Sequence, residues 1–249
     1  MSNATKFPNA PIAEAILDIR VEPCPETDVT ALAALHDILR ERFPHSQGLT
    51  DWRADFQVEA GTITTSAQAS ARPSGFLFRS DDQSRIVQTT LTGFTFNRLK
   101  PYESWDRFRD EARRIWEEYV RVARPSKALR VALRYINRIE LPLPCDDLKN
   151  YILTVPETAP GLPQGLSHFF MRLEMPHPDF DCLAVITETI DREAMTAEIA
   201  PIIFDIDVFR MSAYDPVSAG IWETLETLRL AKNRIFFSSL TEKAKELFK

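Results

Sequence analysis

The chain has 249 residues, of which 44% are hydrophobic and 27% are charged, and its formal net charge is −6 at pH 7. This composition suffices for a packed core and excludes a chain that is mainly disordered. Only 7 glycines are present, which disfavours enzymes that wrap a glycine-rich loop around nucleotide phosphates. No apolar run approaches the ~18 residues of a membrane span and the N-terminus lacks a secretory pattern, so we expect a cytoplasmic protein without membrane association.

The first half of the chain predicts a strand, a helix and three further strands. A β-rich run over 12–21 ends before Pro23, and apolar residues at three- and four-residue spacing predict a helix from Asp28 to Pro44. The helical period is then lost, and short connections rich in Asp, Ser and Gly indicate antiparallel strands. These strands are predicted at 54–60, 75–79 and 85–99.

The clearest helix is predicted over 103–124, where apolar residues recur along one face. Ser104 is the expected N-cap, and Pro125 ends the helix. Oppositely charged residues spaced four apart, such as Glu103 and Arg107, are typical of a solvated outer face. We therefore expect this helix to pack one stripe on a core and to expose the other.

The second half of the chain repeats the same order of elements. A strand over 129–141, a short helix over 146–153 and three strands within 166–210 precede a helical tail over 219–248. In that tail Phe236 to Ser239 are predicted to interrupt the helix, and Ser239-Leu240-Thr241-Glu242 predicts a capping box that starts the last helix at Ser239. The repeated order predicts an internal duplication.

The predicted fold class is α+β, with two similar subdomains at residues 1–127 and 128–249. Each subdomain is expected to form an antiparallel sheet of about four strands with helices packed on one face. By analogy the arrangement is helix-grip or saddle-like. Because no Gly/Ser linker separates the halves, we expect them to share either a continuous sheet or a tight interface.

Three segments resemble a sporadically distributed family of prokaryotic proteins of unknown function. They are Phe7-Pro8-Asn9-Ala10-Pro11-Ile12-Ala13-Glu14-Ala15-Ile16, Tyr102-Glu103-Ser104-Trp105-Asp106-Arg107-Phe108 and Leu133-Arg134-Tyr135-Ile136-Asn137-Arg138-Ile139. The resemblance would cover nearly the whole chain. It implies a cytoplasmic prokaryotic protein and supplies no catalytic residue, cofactor or activity that could be carried over.

No motif in the chain predicts catalysis, a metal site or a cofactor. The four histidines are scattered, the three cysteines form no CxxC, and GxSxG is absent. The carboxylates Asp205, Asp207 and Glu188 could form a metal-dependent hydrolase or nuclease centre. The spacing of Asp205 and Asp207 instead favours one solvated strand face, and no Lys follows at the spacing common in nucleases.

A basic band over residues 98–138 carries twelve Lys or Arg and six acidic residues, a net charge of +6 in a chain of −6. Such a band is typical of surfaces that neutralise phosphates. The residues assigned to this nucleic-acid interface are Arg121, Arg124, Lys127, Arg130, Arg134 and Arg138. Ion pairs within the predicted helix and the dipole at its C-terminus explain part of the band without any ligand.

The positions of two phenylalanines are also consistent with nucleic-acid binding. Phe94 and Phe96 share a predicted strand face with Arg98, as the base-stacking residues of RNA-binding sheets do. Core packing explains the same alternation equally well. The sequence thus favours a non-enzymatic binding module for a protein partner, with nucleic acid as the second hypothesis and the metal-dependent hydrolase or nuclease as the third.

Overall fold

A single antiparallel sheet of nine strands is the framework of the computed structural model, which describes residues 7–55 and 68–249. The strands are β1 (Ile12–Glu22), β2 (His45–Asp55), β3 (Gln68–Arg79), β4 (Arg85–Thr90), β5 (Gly93–Leu99), β6 (Lys127–Pro142), β7 (Phe170–His177), β8 (Cys182–Ile190) and β9 (Ile199–Tyr214). In space they follow the order β2-β3-β4-β5-β1-β6-β9-β8-β7, and each neighbouring pair is antiparallel.

Four α-helices pack on one face of this sheet, which we name the helix-covered face. They are α1 (Ala34–Leu39), α2 (Trp105–Ala123), α3 (Gly220–Ser239) and α4 (Glu242–Glu246). Trp116 of α2 lies edge-on to Phe94 of β5, and Phe236 of α3 stacks on Phe204 of β9. None of the helices in the described part of the chain has the length and apolar character needed to cross a membrane.

The first strands of the two halves, β1 and β6, pair at the centre of the sheet. Their register runs from Ile12 opposite Asn137 to Glu22 opposite Lys127. On its other side β1 pairs with β5, the last strand of the first half, and β6 pairs with β9, the last strand of the second half. The ranges 1–127 and 128–249 therefore contribute to one continuous sheet, and the α+β class predicted from sequence is confirmed.

Most of the predicted elements are present close to their expected positions. Strand β1, helix α2 with Ser104 as its N-cap, strand β6 and strands β7 to β9 all match the predictions. Asp28 caps the first helical segment by accepting from the backbone N–H of Thr30 at 2.8 Å. That segment begins as a 3-10 helix and α1 ends at Leu39, earlier than Pro44. The predicted strand at 54–60 lies mostly outside the described residues.

Three predictions of local structure are wrong. The run 85–99 is two strands, β4 and β5, because Leu91 and Thr92 form a turn between them. The helix expected at 146–153 is only a 3-10 turn at Leu148–Asn150. At the C-terminus α3 continues to Ser239, and the cap of α4 is Thr241, whose Oγ1 accepts from the N–H of Ala244 at 3.2 Å.

Candidate functional site: the helix-free face of the sheet

The opposite side of the sheet, the helix-free face, is formed by alternate residues of each strand. In β1 the side chains of Leu17 and Ile19 are buried toward the helices. Because side chains alternate along a strand, Ile16, Asp18 and Arg20 project to the other side. No α-helix of the described residues packs against these side chains, since all four lie on the helix-covered face.

Asp18 is the centre of a group of ionic contacts on the helix-free face. Its carboxylate accepts from Arg130 Nη1 at 2.9 Å, from Arg20 Nε at 3.1 Å and from Thr95 Oγ1 at 2.8 Å. The residue is only 8% exposed, so these donors replace most of the water that a carboxylate needs. The contacts join β1 to both of its neighbouring strands, β5 and β6.

The ionic contacts continue from β6 to β9. The second arm of Arg130 reaches Asp207 Oδ2 at 3.2 Å, and its guanidinium lies 4.3 Å from the ring centroid of Phe209. Arg134 donates twice to Asp205, at 2.8 Å and 2.5 Å, in the two-pronged geometry favoured by guanidinium and carboxylate. This bonding raises the pKa of Arg134. We name the set Asp18, Arg20, Arg130, Arg134, Asp205 and Asp207 the charge cluster.

The residues assigned from sequence to a nucleic-acid interface fall in two places. Arg130 and Arg134 belong to the charge cluster, and Arg138 lies further along β6 with its Nε 3.7 Å from Glu140 Oε1. The carboxylates beside Arg130 and Arg134 neutralise the charges that a phosphate backbone would need.

The other three residues of that assignment lie at the end of α2 and the start of β6. Arg121 forms an ion pair with Glu118 one turn earlier in the helix. Arg124 is the C-cap of α2 and adopts a left-handed conformation with φ of 49°. Lys127 is exposed at the first position of β6. Phe94 and Phe96 are fully buried beneath α2, so they form part of the core and are not available to stack on bases.

The carboxylates proposed for a metal centre do not meet. Asp205 and Asp207 lie on the helix-free face, whereas Glu188 of β8 pairs in register with the buried Phe204 and points to the helix-covered face. Glu188 is 0% exposed and neither oxygen has a hydrogen-bond partner among the described residues. Burial raises its pKa to about 7. Within residues 7–55 and 68–249 no group of three or more His, Cys, Asp or Glu side chains could hold a metal ion.

The remainder of the helix-free face mixes polar and apolar side chains. Register places Leu77 and Gln88 beside Thr95 on one side of the charge cluster. It places Leu183 beside Phe209 on the other side. These side chains are partly or largely exposed, apart from the core of the cluster. The face therefore offers hydrogen-bonding groups and apolar patches around a centre whose charges are already balanced.

Replacing Asp18 with Asn is expected to lower the free energy of unfolding by about 2 kcal/mol, because Arg20 and Arg130 lose their shared counter-ion in a partly buried site. Urea denaturation at pH 7 measures the change. Glu174→Gln is the matched control, since this exposed residue of β7 lies on the same face outside the cluster. Equal losses in the two variants would contradict the role given to Asp18.

Comparison with protein-family models gives no match for this chain, and comparison with curated protein sequences gives none either. The resemblance of residues 7–16 and the two later motifs to a prokaryotic family therefore stays a prediction.

Proposed function

We propose that this protein is a non-enzymatic binding module and that a protein partner docks on the helix-free face. The observation that carries the proposal is the charge cluster, in which Arg130 and Arg134 are already bound to Asp18, Asp207 and Asp205. A polyanion would have to displace these carboxylates before it gained the arginines. A protein surface of mixed polar and apolar character needs no such displacement.

The size of the helix-free face also supports a macromolecular ligand. Nine strands at a spacing of about 4.8 Å span about 38 Å, and the residues of β1 from Glu14 to Arg20 extend about 20 Å along the strand. The resulting area of about 800 Å² is what each partner contributes to a standard protein–protein interface. We infer that the partner has a near-neutral contact surface with apolar groups that complement Leu77, Leu183 and Phe209.

We also propose that the two halves arose by internal duplication and form a saddle-like arrangement. The supporting observation is the symmetry of strand order about the β1–β6 pair, where the first strand of each half is flanked by the last strand of the same half. A long helix follows that last strand in both halves, α2 after β5 and α3 after β9. Under this proposal the partner surface consists of two related halves that meet at the charge cluster.

The proposal is tested by affinity capture from native lysate with the wild type and two face variants, Met211→Glu and Gln88→Glu. Both residues are exposed on the helix-free face, so their replacement should leave the fold intact. The matched control is Leu230→Glu, because Leu230 is 56% exposed on α3 at the other side of the molecule. Protein retained by the wild type is quantified by mass spectrometry with and without nuclease and at two salt concentrations.

We expect a protein that resists nuclease, is retained in stoichiometric amounts by the wild type and Leu230→Glu, and is lost from both face variants. If the retained protein is lost equally from Leu230→Glu, the interface does not lie on the helix-free face. If only nucleic acid is retained, and the amount retained falls steeply with salt, the ligand is a nucleic acid and not a protein.

A further inference from the structure

A cavity of about 400 Å³ lies on the helix-covered face, at the N-terminal end of α2 and the C-terminal half of α3. Aromatic side chains form much of its wall, including Phe7, Trp105, Tyr135 and Phe236. Its volume is within the usual range of pockets for small ligands, which combine apolar walls with a few polar groups. The cavity is separate from the helix-free face and from the binding proposed there.

Lys232 supplies an unneutralised amine to this cavity. Its Nζ lies 3.9 Å from the ring centroid of Tyr135. In the part of the chain that the structure describes, no carboxylate forms an ion pair with this nitrogen. Burial, and to a lesser extent the neighbouring charge of Arg229, lowers the pKa of Lys232 to about 7. Lys232 is partly buried. Because a partly buried ammonium group without a counter-ion is costly, an anion that enters the cavity would remove part of that cost.

The acidic side chains of the cavity rim do not supply the missing counter-ion. Glu103 is bound by Arg107 and lies 3.3 Å from Arg98 Nη2. Asp106 lies 3.4 Å from Arg109 Nη1. Both carboxylates are therefore neutralised by arginines of the helix surface, and neither pairs with Lys232.

Arg229 is the second cation of the cavity and shares the carboxylate of Glu226 with Arg109. Its Nη1 lies 3.4 Å from Glu226 Oε2, and its guanidinium lies 5.7 Å from the ring centroid of Trp105. Glu226 also accepts from Trp105 Nε1 at 2.8 Å and from Arg109 Nη1 at 2.5 Å. Because Arg109 is also paired with Asp106 and Asp110, Glu226 serves as the counter-ion of Arg229. Among the charged side chains that line the cavity in the described residues, Lys232 is the cation that no carboxylate pairs.

The hydroxyl groups of the cavity carry no compensating negative charge. The hydroxyls of Tyr102 and Tyr135 are hydrogen-bonded to each other at 2.7 Å. Burial raises the pKa of Tyr102 to about 12 and that of Tyr135 well above its usual value. Both therefore stay protonated near neutral pH.

We propose that this cavity binds a small organic anion that carries an aromatic ring, with Lys232 and Arg229 holding the anionic group. The ring would lie among Trp105, Tyr135 and Phe236, where edge and face contacts between aromatic groups add to the burial of apolar area. The helix dipole at the N-terminus of α2, which lines the same cavity through Ser104, acts in the same direction as the two cations.

The test is isothermal titration calorimetry at pH 6.5 with 1-naphthoate as the aromatic anion. Its neutral analogue 1-naphthalenemethanol and the ring-free anions acetate and inorganic phosphate are the comparison ligands. Lys232→Met removes the amine while keeping a side chain of similar length. Lys243→Met is the matched control, because Lys243 also lies over a tyrosine ring, at 4.5 Å from the centroid of Tyr151, but outside the cavity.

We expect 1-naphthoate to bind the wild type and Lys243→Met equally, and Lys232→Met at least about tenfold more weakly. Absence of binding of 1-naphthoate to the wild type, or equal binding to Lys232→Met, would overturn the proposal. Equal affinity for 1-naphthoate and its neutral analogue would show that the ligand need not be an anion. Equal affinity for 1-naphthoate and inorganic phosphate would show that the ligand needs no aromatic ring. Either result would overturn the proposal. None of these results depends on the protein partner.

Proton linkage provides a second measurement of the same site. A bound anion raises the pKa of Lys232, so the complex takes up a proton at pH 8, where the free amine is mostly neutral. The other charged or titratable groups that line the cavity are Arg229, Tyr102, Tyr135, Glu103 and Asp106. Calorimetry in two buffers of different ionisation enthalpy should show uptake in the wild type and none in Lys232→Met.

Discussion

Replacing Glu188 with Met is expected to raise the free energy of unfolding by about 3 kcal/mol at pH 8. The carboxyl group is fully buried without a hydrogen-bond partner among the described residues, and burial raises its pKa from 4.5 to about 7. In the unfolded chain the same group ionises near its ordinary pKa. The difference of about 2.5 pH units corresponds to about 3 kcal/mol of instability once the group is charged in both states.

The gain in stability expected for Glu188→Met depends on pH. Between about pH 4.5 and 7 the folded protein holds a proton that the unfolded chain has lost, so stability falls as pH rises through this window and the loss is complete above pH 7. Urea denaturation of Glu188→Met at pH 4.5 and pH 8 should show a gain that grows across the window. The exposed Glu174→Met on neighbouring β7 should show no such growth. A gain for Glu188→Met that is the same at both pH values would refute the buried, raised pKa.

Replacing Trp116 with Ala is expected to lower the free energy of unfolding by about 4 kcal/mol. This side chain is 1% exposed and stacks on Tyr119 with ring centroids 5.3 Å apart. Its Nε1 donates to the carbonyl of Pro216 at 2.9 Å, in the segment that leads into α3. The substitution therefore leaves a cavity under α2 and an unpartnered carbonyl at the start of the second long helix.

Two further variants separate these contributions in thermal or urea denaturation. Trp116→Phe fills part of the space but cannot donate to Pro216, so an intermediate loss of about 2 kcal/mol is expected. Glu117→Ala changes the adjacent, exposed position of α2 and should stay within about 0.5 kcal/mol of the wild type. A loss for Trp116→Ala no larger than that for Glu117→Ala would show that Trp116 does not join α2 to the second half.

Elements with a strong local period could be predicted from sequence. Helix α2 lies within two residues of its predicted bounds because its apolar stripe, its serine cap and the proline after it all act within a few turns of chain. Strand β6 could be predicted because buried and more exposed residues alternate along much of its length. The turn that divides β4 from β5 contains Leu91 and Thr92, which are not characteristic turn residues, and so the hairpin was predicted as one strand.

The charge cluster could not be predicted, because it depends on strand order. Asp18 and Arg130 are 112 residues apart and meet only because β1 pairs with β6 rather than with a neighbour in sequence. Arg130 and Arg134 were identified as candidate site residues, but their carboxylate partners come from other strands. The net charge counted along residues 98–138 therefore overestimates the positive charge that a ligand could contact.

Two charged residues, Glu188 and Lys232, occupy core positions of the apolar pattern in the sequence. Glu188 is an even number of residues away from Ala184, Ile186 and Ile190 in β8, so its side chain lies on the same buried side as theirs and away from Asp205. Lys232 is four residues after Leu228 in α3 and belongs to its apolar stripe. In each case a charged residue at a core position of the pattern indicated an unusual environment.

Methionine oxidation tests whether a protein partner covers the helix-free face. Met211 is 62% exposed on the helix-free face and Met175 is 39% exposed on the opposite side of the same sheet. Limited peroxide treatment, with and without the captured partner, is followed by mass spectrometry. We expect the partner to slow the oxidation of Met211 several-fold and to leave the oxidation rate of Met175 unchanged. Protection of Met175 without protection of Met211 would contradict this expectation.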